Sequence, residues 1–247
     1  AGGDGINVTG TNMSRLSFDG SENNDVVLDD LWYRFPIGRN ARAWIIANSG
    51  ELNDVVSTIR GPFASSSDGA ISRFGRFNPI YYQNNTSSSS GAALNFDFGG
   101  VGLDFAYLTQ NGFDPRDKNG LFNGDYAALA QLVLFPKGNF NIGLTYVRYY
   151  SPGSRVNLTS STGSGFAQRP FGNVATSSDN FGAQLNWRLS QNFVFGGWFG
   201  YSIAEAQSGP DEGDNANIMN YAVSLGFTDF GRKGNFLGLT AGVPPKV

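Results

Sequence analysis

Residues 179–189 read DNFGAQLNWRL, and this stretch decides the fold because polar and apolar residues alternate along it. Phe181, Leu185 and Trp187 lie on one side of that alternation, and Asn180, Gly182 and the other even-numbered residues lie on the opposite side. A period of two is typical of a β-strand with one apolar and one polar face. The stretch therefore predicts a strand that separates two different environments.

The same alternation recurs along most of the chain. It is clearest in residues 91–98, 101–109, 138–150 and 192–202. Weaker copies lie at residues 12–18, 26–35, 41–48, 125–134, 216–227 and 235–243. We count about eleven strands and predict an all-β fold, with a single short helix near residues 68–76.

The composition excludes several classes of function. The 247 residues include no cysteine and no histidine, and their 17 basic and 20 acidic side chains give a net charge of −3. Ser-His and Cys-His catalysis, disulfides and His or Cys zinc sites are thereby ruled out, and no basic stripe suits nucleic acid. The paired acids Asp29-Asp30 and Asp211-Glu212 are sequence neighbours, which point to opposite faces of a strand. We therefore expect no enzyme, no metal site and no cofactor.

The residues of the polar face favour a membrane protein over a soluble one. That face carries Gly, Asn, Gln, Asp and Arg, and the whole chain holds few lysines, at positions 118, 137, 233 and 246. Small and amide side chains opposite Phe and Leu are typical of a transmembrane antiparallel β-barrel with a watery lumen. Predicted lining residues of that pore are Asp104, Gln184, Asn186 and Arg188. The alternative is a soluble β-rich saccharide-binding protein whose exposed aromatic rings stack on sugars.

The connections between predicted strands alternate in length. Short turns lie at residues 35–38, 99–100, 135–138, 190–191 and 229–234, and long polar stretches at 60–90, 110–124, 151–178 and 203–215. Outer-membrane barrels have short periplasmic turns and long external loops. Aromatic residues near strand ends fit the interfacial girdle of such a barrel, although core packing explains each of them equally well. They are Trp32, Tyr33, Tyr149, Tyr150, Trp198, Tyr201 and Tyr221.

The first long connection contains the residues most suited to selectivity. Asp68 is placed to cap a short helix over residues 69–76, on which Arg73 and Arg76 share a face. If this loop folds into the barrel, the two arginines form a pore constriction that attracts anions or binds polar solutes. Ile71, Phe74 and Phe77 are predicted to pack the other side against the wall. The direction of Arg34 and Arg42 is left open by the pattern.

Three separated motifs resemble one family. They are AISRFGRFNPIY at residues 70–81, LDDLWYRFPIG at 28–38 and GVPPKV at 242–247. These resemble the cyanobacterial iron-uptake porins, a branch of the OprB carbohydrate-selective porin family. The resemblance implies an outer-membrane barrel of about sixteen strands when complete, which passes sugars, inorganic ions or iron species. Iron is implied by the resemblance alone.

The resemblance also implies parts that this sequence lacks. Family members begin with a signal peptide, a wall-binding domain and a linker, and their barrel continues beyond the Pro-Pro-Lys segment. We therefore expect residues 1–247 to be one incomplete outer-membrane barrel domain. The expected partners are outer-membrane lipid, small polar solutes, a possible second copy of the chain, and peptidoglycan through the missing N-terminal region only. A structural tether between membrane and wall is a further alternative.

Overall fold

Ten antiparallel strands form a single sheet in the computed structural model, which describes residues 11–17, 26, 28–84 and 88–247. Each strand pairs with the next one along the chain, so the spatial order is the sequence order. The sheet is not closed, because β1 and β10 form its two edges. The strands are β1 (Leu31–Ile37), β2 (Ala41–Asn48), β3 (Ser89–Asp97), β4 (Val101–Gln110), β5 (Tyr126–Leu134), β6 (Phe140–Ser151), β7 (Thr176–Arg188), β8 (Phe193–Ala206), β9 (Asn215–Thr228) and β10 (Phe236–Lys246).

The predicted all-β fold and the alternation of connections are confirmed. The turns after β1, β3, β5, β7 and β9 are short, and the intervening connections are longer. We call the end of the sheet that carries the short turns the short-turn end, and the end that carries the longer connections the long-loop end. The last long connection is shorter than predicted, since residues 203–206 still belong to β8.

One predicted strand is not formed. Within residues 12–18, only isolated bridges occur, from Asn12 to Gly163 and from Leu16 to Ser72, and residue 18 lies outside the described residues. A bridge of one residue pair lacks the ladder that defines a strand. The next strand was predicted to begin at residue 26, whereas β1 begins at Leu31.

The two faces of the sheet are inverted relative to a soluble protein. Large apolar side chains of the outer face are exposed, for example Leu144 at 47% and Phe181 at 47%. Polar side chains of the inner face are buried, for example Gln184 at 2% and Asn180 at 0%. Water does not favour an exposed apolar surface of this extent, whereas lipid does.

The inner face is covered by the connection between β2 and β3. We call residues 49–84 of this connection the inward segment. It contains α1 (Leu52–Val55), α2 (Arg73–Arg76) and two 3₁₀ turns, Gly61–Phe63 and Pro79–Tyr82. A third short helix, α3 (Gly165–Gln168), lies in the connection after β6.

Aromatic packing holds the inward segment against the sheet. Phe77, Tyr81 and Tyr82 are buried in one cluster with Leu108 of β4 and Val147 of β6. Elsewhere, Phe74 packs edge-on against Trp198 of β8 with ring centroids 5.2 Å apart. The sheet and the segment thus share an apolar core at the long-loop end.

Two aromatic residues of the predicted girdle belong to this interior. Tyr149 is 1% exposed and Trp198 is 5% exposed, because both lie at inward positions of their strands. Tyr33 is exposed near the start of β1, as a girdle requires, whereas Tyr221 is exposed at the middle of β9 and not at a strand end. Odd and even positions along a strand point to opposite faces, and this decides which aromatic side chains are buried. A cluster of aromatic residues at a strand end does not reveal it.

The predicted helix is shorter than expected. It begins at Arg73 after Ser72 and ends at Arg76, while Asp68 instead accepts hydrogen bonds from the Ser65 and Ser67 hydroxyl groups. Those local bonds compete with capping, as is usual for an aspartate among serines. In the described part of the chain, no helix is long and apolar enough to cross a bilayer.

Candidate functional site

A belt of hydrogen-bonded side chains crosses the inner face at about the middle of six strands. The Trp44 indole donates to Asn95, and the Asn95 amide donates to Asp104 at 2.8 Å. Gln131 donates to the other oxygen of Asp104 at 2.9 Å and accepts from Thr145 at 2.7 Å. Thr145 is also 3.2 Å from the Gln184 side-chain oxygen. We call these six residues the polar belt: Trp44, Asn95, Asp104, Gln131, Thr145 and Gln184.

The polar belt fastens the inward segment to the wall. Asn95 donates to the Val55 carbonyl and Gln131 to the Ser57 carbonyl, each at 2.8 Å. From the segment, the Tyr81 hydroxyl reaches Gln131 at 2.5 Å. A buried network in which most groups are paired is rigid, so the belt sets the position of the segment inside the sheet.

The four predicted lining residues have different surroundings. Asp104 and Gln184 are buried in the polar belt, at 8% and 2% exposure. Asn186 is half-buried on the same face of β7, nearer the short-turn end. Arg188 is exposed at that end and donates to the Gln191 carbonyl at 3.3 Å.

The two predicted constriction residues are half-buried on the inward segment. The Arg73 guanidinium lies 4.1 Å from the centre of the Tyr82 ring and donates to the Ser160 hydroxyl at 3.3 Å. Arg76 donates to the Ala64 carbonyl at 2.8 Å, with its guanidinium 4.9 Å from the Phe77 ring centre. Burial lowers the pKa of Arg73, and Arg15 contributes in the same direction. Of their predicted companions, Phe74 and Phe77 pack inward and Ile71 is 69% exposed.

Arg60 is the functional candidate that sequence reasoning missed. Its side chain is 1% exposed and lies between the Phe63 and Trp198 rings, 4.7 and 4.5 Å from their centres. It donates to the carbonyls of Gly75 and Arg76 and to the Ser224 hydroxyl. Burial lowers the pKa of Arg60 to about 9, so the group stays charged at neutral pH. No periodic signal marks this residue, because it lies in an irregular connection.

A chamber of about 800 Å³ opens at the short-turn end of the inner face. It lies between the inward segment and the first strands, and we call it the turn-side chamber. Arg34, Arg42 and Trp44 all line it, so the direction left open for the two arginines is inward. The charged residues that line it are Arg34, Arg39, Arg42, Arg60, Asp54, Asp97 and Asp104.

The carboxyl groups of the turn-side chamber are partly neutralised. Asp97 forms an ion pair with Lys137 at 2.7 Å. Burial, followed by the nearby Glu51 and Asp30, raises the pKa of Asp54 to about 7, and Arg76 opposes the shift. Among the described residues, no group of three or more carboxylates is arranged to hold a metal ion.

Three features together define a porin-type β-barrel protein. They are an exposed apolar face, an enclosed polar face and a segment folded against that polar face. The sequence profile of the carbohydrate-selective porin family OprB matches residues 2–247, and the chain belongs to this family. It is a family of outer-membrane channels rather than enzymes.

Two similar proteins come from cyanobacteria. An uncharacterized protein of Synechocystis sp. is 35% identical over 261 residues, which cover 98% of this chain and 47% of that protein. An uncharacterized protein of Nostoc sp. is 29% identical over 256 residues, which cover 97% of this chain and 43% of that protein. The chain thus spans less than half the length of these two relatives.

Proposed function

We propose that the protein is an outer-membrane porin through which small polar solutes cross by passive diffusion. This chain supplies ten strands of an integral barrel wall and the segment that narrows its lumen. The observation that carries the proposal is the inverted sheet, with Phe181 and Leu144 exposed outside and Gln184 buried inside. Lipid is the solvent in which such an arrangement is stable.

The inward segment supports a role in selectivity. It occupies the inner face through the polar belt, so any solute must pass beside it rather than through an open cylinder. Arg73 and Arg76 remain the proposed constriction, because they are the half-buried cations of this segment. Asp104 and Asn186 are proposed to act from the wall of the turn-side chamber, and Gln184 and Arg188 as further lining residues of the lumen.

The proposed cargo is sugars, as the description of the carbohydrate-selective porin family suggests, and inorganic ions, which a watery lumen of this kind would also pass. Iron species are proposed only as further cargo of the same lumen, on the resemblance of residues 70–81 to iron-uptake porins. Uptake of labelled iron into vesicles that contain the protein tests this part separately.

Planar-bilayer conductance of the full-length protein tests the pore. We expect stepwise, long-lived conductance increments, together with swelling of protein-containing liposomes in solutions of small sugars but not of large ones. Protein that stays monodisperse without detergent and gives no increments would instead support the soluble saccharide-binding alternative.

A further inference from the structure

The charges of the turn-side chamber do not balance. Among the described residues, none of its four arginines forms an ion pair with a carboxylate. Two of its three carboxylates have other partners, since Asp97 is paired with Lys137 and Asp104 accepts from two amides. The chamber therefore presents an excess of positive charge to any solute that enters it.

Arg60 adds a buried donor without a partner. Its Nη1 atom is buried and makes no hydrogen bond. The side-chain oxygen of Asn186 is also buried without a hydrogen-bond partner. A methyl group placed on Gly196 would lie 3.0 Å from Nη1 of Arg60 and 3.7 Å from that oxygen. Glycine at position 196 thus leaves space directly in front of an unpaired guanidinium nitrogen.

The surroundings of Arg60 strengthen the electrostatic effect of its charge on the turn-side chamber. Phe63 and Trp198 cover the two faces of its guanidinium, so little water screens the charge from the neighbouring chamber. Arg34, Arg39 and Arg42 are exposed on the chamber wall, where Arg34 lies 5.1 Å from the centre of the Trp44 ring and Arg42 interacts electrostatically with Asp97 and Asp104. A buried cation below three accessible guanidinium groups is suited to planar, charged oxygen ligands.

We propose that the turn-side chamber is a binding site for small oxyanions at the short-turn end of the lumen. This rests on the proposed function, because it names a class of solute for the same pore. Guanidinium groups pair with an oxyanion through two parallel hydrogen bonds, whereas a neutral sugar gains no such charge-assisted pairing and a metal cation is repelled.

The test uses the full-length protein in planar bilayers and in detergent, with inorganic phosphate as the probe. The variant is Arg34→Gln with Arg42→Gln, two exposed residues on the chamber wall. The matched control is Arg232→Gln with Lys233→Gln, which removes the same charge from the exposed turn between β9 and β10. Phosphate binding is measured by calorimetry, and its block of the chloride current is measured by conductance.

We expect phosphate to bind and to reduce the chloride current of the wild-type channel. In the chamber variant, the affinity should fall roughly two- to fivefold for each arginine removed, as for partly screened charge pairs. The control should keep the wild-type affinity. An Arg60→Met variant that folds should also bind phosphate more weakly. This variant measures the contribution of the buried charge separately from that of the exposed ones.

The two proposals fail in distinguishable ways. A conducting wild-type protein that does not bind phosphate, or binds it equally in the chamber variant and the control, overturns the oxyanion site and leaves the pore. A protein that does not conduct but loses phosphate binding in the chamber variant overturns the pore and supports the site.

Discussion

At the scale of single residues, charged groups on the inner side of the sheet differ mainly in what surrounds them. Arg60 is enclosed by rings and carbonyl groups, whereas Arg34 and Arg42 carry the same charge at an accessible wall. Asp54 borders the same chamber, close to Glu51 and Asp30, and its side chain still reaches solvent. The same residue type therefore has a structural role in one place and a solute-facing role in another.

We expect the ion selectivity of the channel to depend on pH through Asp54. Because its pKa is raised to about 7, the carboxyl group is mostly neutral below that pH and mostly ionised above it. Anion preference should therefore decrease as the pH rises from 6 to 8. Reversal potentials in a salt gradient measure this.

Asp54→Asn is the matched variant for that measurement. It should keep the low-pH selectivity across the whole range, because asparagine stays neutral. A wild-type pH dependence that persists unchanged in Asp54→Asn would assign the titration to another group.

We expect Arg60→Ala to destabilise the protein by about 2–4 kcal/mol, since three carbonyl or hydroxyl partners lose a charged donor and two rings lose a cation. Urea unfolding in lipid vesicles measures the free energy. Arg39→Ala is the control, because that arginine is exposed on the same chamber. Equal stability of the two variants would show that the buried guanidinium is not structural.

At the scale of elements, the inward segment is held by its backbone as much as by its side chains. The polar belt donates to the Val55 and Ser57 carbonyls, and aromatic packing anchors Phe74 and Phe77 further along. Arg73 and Arg76 extend from the short helix that also contains Phe74 and that Phe77 directly follows. Their position is therefore defined by an element with fewer than two helical turns, fixed at both ends by tertiary contacts.

We expect replacement of both Arg73 and Arg76 by glutamine to shift the ion preference towards cations. The reason is the loss of two fixed positive charges from the proposed constriction. Reversal potentials of the double variant are compared with those of Arg232→Gln with Lys233→Gln. Identical potentials for the two double variants would remove Arg73 and Arg76 from the constriction.

At the scale of the whole molecule, the two faces of the sheet suit two different solvents. Its outer face exposes large apolar side chains on β2 to β4 and on β6 to β10, and those of β5 are half-buried, whereas the inner face carries polar groups and the inward segment. The free-energy cost of replacing a side chain therefore depends on which face of the sheet it occupies and on how far it lies from the ends of its strand.

We expect Leu144→Arg to destabilise the folded protein in lipid by about 2–4 kcal/mol, because an arginine near the bilayer midplane is costly. Leu189→Arg is the matched control, since Leu189 is similarly exposed but lies at the short-turn end. We expect a cost of about 0–1 kcal/mol for the control, as is typical near an interface. Unfolding from vesicles measures both, and equal small effects would contradict a lipid-facing outer surface.

The alternation of residues 179–189 was sufficient to predict a strand, its two faces and the polarity of each face. The length of each connection was sufficient to predict which end of the sheet carries the long loops. Both are local properties, because a strand has a period of two and a turn is closed by a few residues. They identified the fold class, and with the motifs of residues 28–38 and 70–81 they identified the family.

The tertiary structure alone decided what fills the interior. Arg60 lies in an irregular connection, and its partners Gly75, Trp198 and Ser224 are up to 164 positions away in sequence. The burial of Tyr149, the shortened helix at Arg73 and the grouping of Arg34 with Asp54 likewise depend on contacts between distant segments. Sequence periodicity reports the environment of each face of a strand, but the energy of a buried charge depends on which distant groups surround it.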